Sequence, residues 1–372
     1  MAEKLIPLED AQSIVLSHVA PTDLIEIPVW QAAGFPLAED AVADIDISPF
    51  ANSAMDGYAV RSADLAQASG EAPVTLDVIG HEAAGHVFEG AIGAGETVRI
   101  MTGAPVPEGA DAVVKYEIVD VLDGDGNEGS RVRFSAPAKV GENVRSAAEE
   151  AHAGDVVMRA GEVAAPAGAG LLASAGYANV KVHAAPRVGI ISLGTELVAP
   201  GELPARGQIR DSNSSALMAE ALNAGAEPVF YGIAPDDEQA IAELVHRAVQ
   251  ECDFVITSGG ASAGDYDYVT ALVRREGEVL FDRISIRPGK AITFGLLGGK
   301  PYLGLSGNPA AAYVGFEMLA RPAIRKMRGF AEVARPVQQA TLTHGVKKRQ
   351  DRRFFDRATV LRDPETGELL VT

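Results

Sequence analysis

The sequence predicts an α/β multidomain protein whose second half forms a doubly wound, mostly parallel sheet. Between residues 187 and 328, short apolar, β-branched segments alternate with amphipathic segments, which is the pattern of parallel strands joined by helices. The first half instead carries short strand-like segments separated by Gly and Pro, which is typical of a β-rich domain. A chain of 372 residues is also long enough for two to four domains.

Four domains are predicted from these changes in pattern. They are an elongated discontinuous domain (residues 1–50 and 137–185), a β-rich domain (51–136), an α/β domain (186–328) and a small C-terminal β domain (329–372). The first of them is discontinuous because the chain is expected to return after residue 136 and to pack on its own early extended segments.

The first half is predicted to contain one clear helix and several short strands. The helix covers Leu5–Ala20, where apolar residues recur at helical spacing until Pro21 ends the pattern. Strands are expected at Val74–Ile79, Thr97–Met101, Ala112–Tyr116 and Val132–Phe134, with strand-like segments at Asp155–Arg159 and Val180–His183. The run Asp123–Gly129 (DGDGNEG) lacks the ligand register of a calcium loop and is interpreted as a hairpin turn.

The second half is predicted to alternate strands and helices. The expected strands are Val188–Leu193, Val229–Ile233, Phe254–Thr257, Ile292–Leu296 and Tyr302–Leu305. The expected helices are Asn213–Asn223, a segment that begins at Asp236–Glu238, Val269–Arg275, and a final segment from Pro309 to about Met327. Polar residues at the helix starts, a glycine after one helix and a proline in a first turn support these boundaries.

The most informative segment is Ser258–Asp267 (SGGASAGDYD), which directly follows the apolar strand Phe254–Thr257. Two glycines at this point allow a sharp turn and the close approach of a ligand to the backbone. Asp265 and Asp267 add carboxylates, which are ligands for a hard cation. An ordinary strand-to-helix loop with solvated aspartates explains this segment equally well when it is considered alone.

Three unusual loops follow strands of the predicted sheet: Gly194–Glu196, Ser258–Asp267 and Ser306–Pro309. Parallel strands end at the same edge of a sheet, which we call the carboxyl edge. Because ligands bind at this edge in open α/β folds, the three loops together predict a binding pocket there.

A basic segment, Arg283–Lys290 (RISIRPGK), lies between the last two of these loops. Alternation along an extended segment places Arg283, Ser285 and Arg287 on one side. Three cations within eight residues are unusual in a chain whose formal net charge is −19. They are interpreted as a site for an oxyanion or a phosphate, with solvated charges at a sheet edge as the alternative.

The composition argues against several functions and locations. A net charge of −19 disfavours non-specific nucleic-acid binding. No apolar run reaches the length of a membrane span, and Met1–Ala20 lacks the pattern of a signal peptide. The single cysteine, Cys252, excludes an internal disulfide and is expected in the core. A reducing compartment, the cytoplasm, is therefore expected.

Seven motifs are spread over nearly the whole chain. They read NSAMDGYAV (52–60), RIMTGAPVPEGADAVV (99–114), SLGTEL (192–197), GQIRDSN (207–213), SGGASAGDYD (258–267), RPGK (287–290) and GNP (307–309). In this order and spacing the chain resembles the molybdopterin molybdenumtransferase family, which includes the bacterial MoeA proteins and the E-domain of gephyrin. Each motif is modest alone, and the seven in register are highly specific.

The resemblance implies a homodimer of elongated four-domain subunits, in which the third domain is a molybdopterin-binding α/β domain. It implies that molybdate is inserted into adenylylated molybdopterin with the help of Mg²⁺, and that AMP and molybdenum cofactor are released. A molybdopterin adenylyltransferase is the expected donor of the substrate, and neither nucleic acid nor a membrane is an expected partner. This chemistry requires a divalent cation to polarise the phosphoanhydride and cationic groups to hold molybdate.

The resemblance also implies which residues form the site. The expected catalytic residues are Asp56, Thr102, Glu196, Asp236 and Asp267, of which Glu196 and Asp267 are expected nearest the metal. The expected substrate-binding residues are Arg145, Asp211, Ser258, Gly259, Gly260, Ser262, Asp265, Arg283, Arg287, Lys290, Ser306, Gly307, Asn308 and Pro309. Among these, the three cations of the basic segment are assigned to molybdate and phosphate. The resemblance further implies that Asp56 and Thr102 complete the site of the other subunit.

The chain departs from the family pattern at four places. Ser306 replaces the family's proline and adds a hydroxyl to that turn. Arg283 and Arg287 stand where lysine is often found, and the family's Gly-Glu-Asp turn is Ala148–Glu150 here. The fourth domain, residues 329–372, is shorter than usual, so either the C-terminus is truncated or this member of the family is short.

Two other functions share parts of this pattern. A molybdopterin adenylyltransferase has the same α/β domain, but that family is typically a single α/β domain without the NSAMDGYAV region. A non-catalytic pterin carrier or a gephyrin-like scaffold needs neither the carboxylates nor the cations. Release of AMP distinguishes the three functions.

Overall fold

The computed structural model describes residues 5–260, 268–347 and 352–372 of the chain. The chain divides into two compact units. Unit 1 comprises Met1–Glu39, Ala160–Ala165 and Asn179–Thr372, and unit 2 comprises Asp40–Arg159 and Pro166–Ala178. The finer division into four domains stays a prediction.

The described residues contain helices and strands in both units. The α-helices are α1 (Leu8–Ser17), α2 (Pro166–Ser174), α3 (Asn213–Ala224), α4 (Glu238–Glu251), α5 (Tyr268–Glu276), α6 (Pro309–Gly315) and α7 (Arg321–Met327). The strands of the two large sheets are β1 (Gly57–Val60), β2 (Val74–Glu82), β3 (Glu96–Ile100), β4 (Ala112–Lys115), β5 (Asp120–Asp123), β6 (Arg131–Phe134), β7 (Arg187–Leu193), β8 (Glu227–Ala234), β9 (Phe254–Ser258), β10 (Gly277–Arg283), β11 (Ala291–Leu297) and β12 (Lys300–Leu305). Shorter strands are Leu24–Pro28, Ala41–Val42, Asn52–Ser53, Val144–Arg145, Val156–Met158, Asn179–His183, Leu197–Val198, Ile209–Arg210, Ile286–Arg287, Thr341–Leu342, Arg353–Phe354, Val360–Arg362 and Leu369–Val371.

Unit 2 is built on a six-stranded sheet in the order β4-β1-β3-β2-β6-β5. Only the β2–β3 pair is parallel, and the other neighbours are antiparallel. The predicted turn at Asp123–Gly129 joins the antiparallel strands β5 and β6, which confirms the hairpin. Strands β1 and β5 and helix α2 were not predicted, and α2 lies in an Ala- and Gly-rich stretch without a clear apolar face.

Glu82, the last residue of β2, is a buried acid in unit 2. It is 1% exposed, and the backbone N–H of Phe88 gives its carboxylate only a weak hydrogen bond that does not offset the burial. Burial disfavours the charged form and raises the pKa of Glu82. Folding therefore favours the protonated acid, so this contribution to stability is present at low pH and is lost as the pH rises through the raised pKa.

Replacing Glu82 with Gln is expected to increase the free energy of unfolding at pH 8 by about 1–2 kcal/mol, because the amide keeps the shape and carries no charge. The gain should disappear towards pH 4, where the wild-type acid is protonated. Urea denaturation of both proteins from pH 4 to pH 8 measures this difference. Glu71→Gln changes an exposed glutamate of the same unit and is the control. An equal gain for Glu82→Gln at every pH would contradict the prediction.

Unit 1 is built on a second six-stranded sheet in the order β8-β7-β9-β12-β11-β10. Strands β8, β7, β9 and β12 are parallel, and β11 runs antiparallel to both of its neighbours. Along β7, Val188 and Ile190 face one core, and Ile191 and Leu193 face the other. Helices α1, α3, α6 and α7 pack in the first core, and α4 and α5 pack in the second. The doubly wound, mostly parallel sheet is therefore confirmed.

Two features of this unit differ from the prediction. Strand β10 was not predicted, and the expected final helix contains a π-helical turn at Phe316–Ala320 between α6 and α7. Pro322 lacks the N–H that would bond to the carbonyl of Met318 in an α-helix. The side chain of Gln12 in α1 donates to that carbonyl instead, from Nε2 at 3.0 Å. A distant side chain thus satisfies the carbonyl that the proline leaves free.

Two further expectations have clear outcomes. The first helix is confirmed with shorter bounds, and its residues Leu8, Ala11 and Val15 are buried in the core of unit 1. Cys252 is buried as expected, at 2% exposure. No helix in the described part of the chain has the length and apolar character needed to cross a bilayer.

Candidate functional site

The loops after β7 and β8 are joined at the carboxyl edge of the unit 1 sheet. Thr195 donates to Oδ2 of Asp236 from its backbone N–H and from its hydroxyl, at 3.2 and 3.1 Å. The N–H of Asp236 donates to the Thr195 hydroxyl oxygen at 3.0 Å. The N–H of Gly194 also donates to the carbonyl of Ala234 at 3.0 Å. These bonds fix the carboxylate of Asp236 at the edge of the sheet.

The carboxylate of Glu196 lies over the backbone of Gly194. A Cβ atom at residue 194 would stand 2.6 Å from Oε2 of Glu196, so a side chain there would displace this carboxylate. Glu196 is exposed. Within the described residues, its carboxylate forms no hydrogen bond and no ion pair with Lys or Arg. It is thus available to a cation at the carboxyl edge.

The loops after β9 and β12 are also held together. Ser258, the last residue of β9, is 2% exposed, and the N–H of Gly259 donates to the carbonyl of Leu305 at 3.0 Å. Asn213, the first residue of α3, donates from Nδ2 to Oγ of Ser258 at 2.7 Å and to the carbonyl of Gly307 at 2.9 Å. Sequence analysis did not assign Asn213 to the site, although it is the last residue of the GQIRDSN motif.

The segment Ser306–Pro309 forms the turn that begins α6. Oδ1 of Asn308 accepts a hydrogen bond from the N–H of Ala311 at 3.2 Å, and Pro309 occupies the first helical turn. The Ser306 hydroxyl oxygen accepts from the N–H of Asn308 at 3.4 Å. The hydroxyl that replaces the family's proline therefore lies within this turn.

Asp211 lies at the start of α3 and is 2% exposed. Its Oδ1 accepts from the N–H of Ser214 at 3.1 Å, and its own N–H donates to the carbonyl of Val198 at 2.9 Å. Asp211 therefore fixes the start of α3 against the segment that follows Glu196. Its other oxygen, Oδ2, is buried without a hydrogen-bond partner among the described residues.

Burial alternates along the basic segment. Ile284 and Ile286 are fully buried, whereas Arg283 and Ser285 are partly exposed and Arg287 is exposed. The short strand Ile286–Arg287 pairs with Arg353–Phe354 of the C-terminal region. The chain bends at Ser285, where the N–H of Ile286 donates to the carbonyl of Ile284, so the common side of the two arginines stays a prediction.

Arg287 and Lys290 are both exposed. The guanidinium of Arg287 lies 5.5 Å from the ring centre of Phe354, a distance at which the aromatic face attracts a cation. The carbonyl of Lys290 accepts from the N–H of Ile284 at 3.0 Å, which closes the turn between these two cations. Both side chains keep charges at the surface that an anion can approach.

A cavity of about 780 Å³ opens beside these loops in unit 1. Its lining includes Asn213 and Pro309 from the loops, Tyr313 from α6, and Phe355 and Arg357 from the C-terminal region. This volume lies in the range that holds a small organic ligand. Its lining offers an aromatic ring on which a flat heterocycle can stack and a guanidinium that suits an anionic group.

An ion cluster that pairs the buried Glu317 with the exposed Arg335 lies next to the cavity wall. Arg335 binds both carboxylate oxygens of Glu317, with Nη2 at 2.8 Å from Oε1. Hydrogen bonding to Glu220 raises the pKa of Tyr313, and Nη2 of Arg335 lies 3.8 Å from Oε2 of Glu220. The cluster joins α3, α6 and the segment after α7, so the wall that carries Tyr313 is fixed in place.

Three predicted site residues, Ser262, Asp265 and Asp267, lie outside the described residues. Among residues 5–260, 268–347 and 352–372, no group of three or more His, Cys, Asp or Glu side chains is placed to hold a metal ion. Glu196 and Asp236 are the predicted carboxylates that the structure locates at the carboxyl edge of the sheet.

The predicted residues of unit 2 lie close together within that unit. Thr102 donates to Oδ1 of Asp56 from its N–H and from its hydroxyl, at 2.8 and 2.7 Å. These bonds hold the pKa of Asp56 below its usual range. Arg145 pairs with Asn52 in a short antiparallel ladder, and Asn52 also pairs with Pro105. Parts of two motifs of the first half are thus adjacent to Arg145 in unit 2.

Comparisons with known proteins show the family of the chain. Residues 6–176 match a family described as "MoeA N-terminal region (domain I and II)", and residues 189–326 match a "Probable molybdopterin binding domain". The chain is 37% identical over 354 residues to the molybdopterin molybdenumtransferase of Staphylococcus aureus (strain COL), covering 95% of this chain and 83% of that protein. It is 39% identical over 337 residues to that of Bacillus subtilis (strain 168), covering 90% and 77%.

Solved structures show the same similarity. Two structures of the molybdopterin biosynthesis MoeA protein from Pyrococcus horikoshii superpose with TM-scores of 0.82 and 0.81 at 33% and 30% identity. Each alignment covers 99% of this chain and 90% of the other chain. The similarity therefore extends over both units.

Proposed function

Because the chain belongs to the molybdopterin molybdenumtransferase family, we propose that it inserts molybdate into adenylylated molybdopterin and releases AMP and molybdenum cofactor. The observation that supports this reaction best is the carboxyl edge of the unit 1 sheet. There the free carboxylate of Glu196 and the fixed carboxylate of Asp236 follow neighbouring parallel strands. The same unit carries the basic segment and the 780 Å³ cavity.

Each group has a role in this proposal. Carboxylate oxygens are the ligands that Mg²⁺ prefers, so Glu196 and Asp236 would hold Mg²⁺ together with Asp267. A bound Mg²⁺ would polarise the phosphoanhydride bond of the substrate. Arg283, Arg287 and Lys290 bind molybdate and phosphate as a set of cations in an acidic protein. The aromatic lining of the cavity suits a flat ring, and Arg357, which stands beside Asp356 in the lining, can pair with an anionic group.

The test is AMP release from adenylylated molybdopterin by the purified protein with Mg²⁺, with and without molybdate. Release that depends on molybdate and is lost in Asp267→Ala is the expected result. Tight binding of the pterin without AMP release would contradict the proposal and would favour a carrier. Formation of adenylylated molybdopterin from ATP and molybdopterin would instead favour the adenylyltransferase.

Three finer properties belong to the same proposal. We propose a cytoplasmic homodimer that receives its substrate from a molybdopterin adenylyltransferase. The Asp56–Thr102 surface would complete the site of the other subunit, as the family resemblance implies. The four-domain division is retained in this proposal, with boundaries near residues 50, 136, 185 and 328.

The exposed apolar side chains of Leu24, Ile25 and Trp30 support a homodimer. They are 55%, 41% and 73% exposed and lie close together in sequence in unit 1. Leu24 and Ile25 are consecutive in a strand and face opposite sides, so the exposed ring of Trp30 is the strongest of the three indications of an interface. Trp30 is the only tryptophan of the chain, so its fluorescence reports on this surface alone.

Trp30→Asp is expected to convert the dimer into a monomer, because a charge at the interface would have to be buried. Light scattering should give a mass near twice the 38.8 kDa of the chain for wild type and near the single-chain mass for the variant. Leu203→Asp places the same charge at another exposed leucine of unit 1 and should leave the dimer intact. Monomeric wild-type protein at micromolar concentration would contradict both the dimer and the shared site.

A further inference from the structure

The side chain of Asn213 bonds to both glycine-containing loops of the site. Its Nδ2 donates to Oγ of Ser258 at 2.7 Å and to the carbonyl of Gly307 at 2.9 Å. These partners are 45 and 94 residues away in sequence. One amide group thus links the ends of two neighbouring parallel strands, β9 and β12.

The start of helix α3, which carries Asn213, is held in place by hydrogen bonds. Asp211, two residues before Asn213, accepts from the N–H of Ser214 and donates its own N–H to the carbonyl of Val198. Leu217, one turn further along α3, is buried in the core of unit 1. The start of α3 therefore cannot move freely, and the two bonds of Asn213 set the spacing between the loops.

Asn213 also borders the 780 Å³ cavity, together with Pro309. It therefore lies between the surface that would hold the substrate and the loops that would contact its reacting groups. An error of about 1 Å in the placement of reacting groups can cost about 100-fold in rate. The rate of turnover, kcat, should therefore depend strongly on the correct spacing of the two loops.

We propose that Asn213 is a positioning residue, which holds the Ser258–Gly260 and Ser306–Pro309 loops at the separation that the transfer reaction requires. This inference rests on the proposed function for its effect on turnover. The bridge itself is a property of the fold, and its loss is measurable without substrate.

The test variant is Asn213→Asp, which keeps the size of the side chain and replaces the Nδ2 donor with an acceptor oxygen. The Ser258 hydroxyl can turn to donate to that oxygen, but the Gly307 carbonyl cannot donate, so the two would repel. Asn213→Ala removes the donor without adding a charge, and it replaces Asn213→Asp as the test variant if the aspartate variant does not fold. Asn223→Asp makes the same change at an exposed position of α3 and is the matched control.

Two readouts are measured on the full-length protein. The first is molybdate-dependent AMP release, for which kcat is expected to fall about 10- to 100-fold while KM for adenylylated molybdopterin changes less than about threefold. The second is hydrogen exchange of peptides covering residues 254–260 and 305–312 without substrate, which is expected to become faster. Asn223→Asp should match wild type in both.

The outcomes separate this inference from the proposed function. Unchanged kcat with active wild-type enzyme, or unchanged exchange in both peptides, would overturn the positioning role. A fall in kcat without faster exchange would also overturn it, because Asn213 would then act on the substrate directly. Absence of AMP release by wild type would refute the proposed function, and with it the effect on turnover, while faster exchange in the variant would still establish the bridge.

Discussion

Glu196→Gln is expected to lower kcat/KM for molybdate-dependent AMP release by about 100-fold or more, because it removes a charge that would stabilise the metal in the transition state. The carboxylate of Glu196 is exposed at the carboxyl edge and is free of ion pairs within the described part of the chain. Its negative charge is therefore not neutralised by the neighbouring residues of the fold. Glutamine keeps the length of the side chain, so only the charge and one acceptor oxygen are lost.

The measurement is a series of kcat/KM values at increasing Mg²⁺ concentration. If Glu196 binds the metal, the variant should need more Mg²⁺ and should recover part of its activity at high concentration. Glu202→Gln makes the same change at an exposed glutamate six residues further along and should behave as wild type. Equal activity of Glu196→Gln and wild type at every Mg²⁺ concentration would exclude Glu196 as a ligand.

The fold of the α/β region was predictable because its strands and helices carry their own patterns. The run Phe254–Thr257 is apolar and β-branched and became a fully buried strand. Helix α4 has Ile241, Val245 and Ala248 on its buried face, and Asp237 caps its start. In such segments the local sequence alone decides the structure, so prediction and structure agree to within a few residues.

The features that were missed depend on partners far away in sequence. The π-helical turn at Phe316–Ala320 is supported by Gln12, which lies 306 residues from Met318. Strand β10 is a partly exposed edge strand that forms against β11, and its sequence GEVLFDR has no regular alternation. Neither feature has a local signal that distinguishes it from the alternatives.

In the candidate site, too, local features were predictable and long-range contacts were not. The position of the loops at the carboxyl edge was predictable, because parallel strands end at the same edge of a sheet regardless of their side chains. The role of Asn213 was not, because its two partners lie in loops that only the folded sheet brings together. Asp211 was predicted as a substrate-binding residue, and the structure places it 2% exposed at the start of α3. Its place in substrate binding stays a prediction.

Gly259→Ala is expected to have the largest effect on stability, lowering the free energy of unfolding by about 2–5 kcal/mol. Gly259 has a φ of +95°, and a Cβ atom there would stand 2.2 Å from the carbonyl oxygen of Leu193. The added methyl group therefore suffers both backbone strain and a collision with a neighbouring strand, β7. Since Leu193 ends β7 and Gly259 follows β9, the collision would push the two loops apart at the carboxyl edge. Activity should fall together with stability.

Two other glycines of unit 1 separate the effect of backbone strain from the effect of the collision with Leu193. Gly207 has a φ of +90°, and no atom lies within 4 Å of the position that a Cβ atom would take there, whereas Gly201 has neither a positive φ nor a close neighbour. Calorimetry should show Gly201→Ala near wild type, Gly207→Ala with a small loss, and Gly259→Ala with a melting temperature lower by roughly 5–15 °C. If Gly207→Ala and Gly259→Ala lost the same amount, strain alone would account for the effect and the close approach of Gly259 to Leu193 would carry no cost. A larger loss at Gly259 would show that the carboxyl edge tolerates no side chain between β7 and β9 at this position.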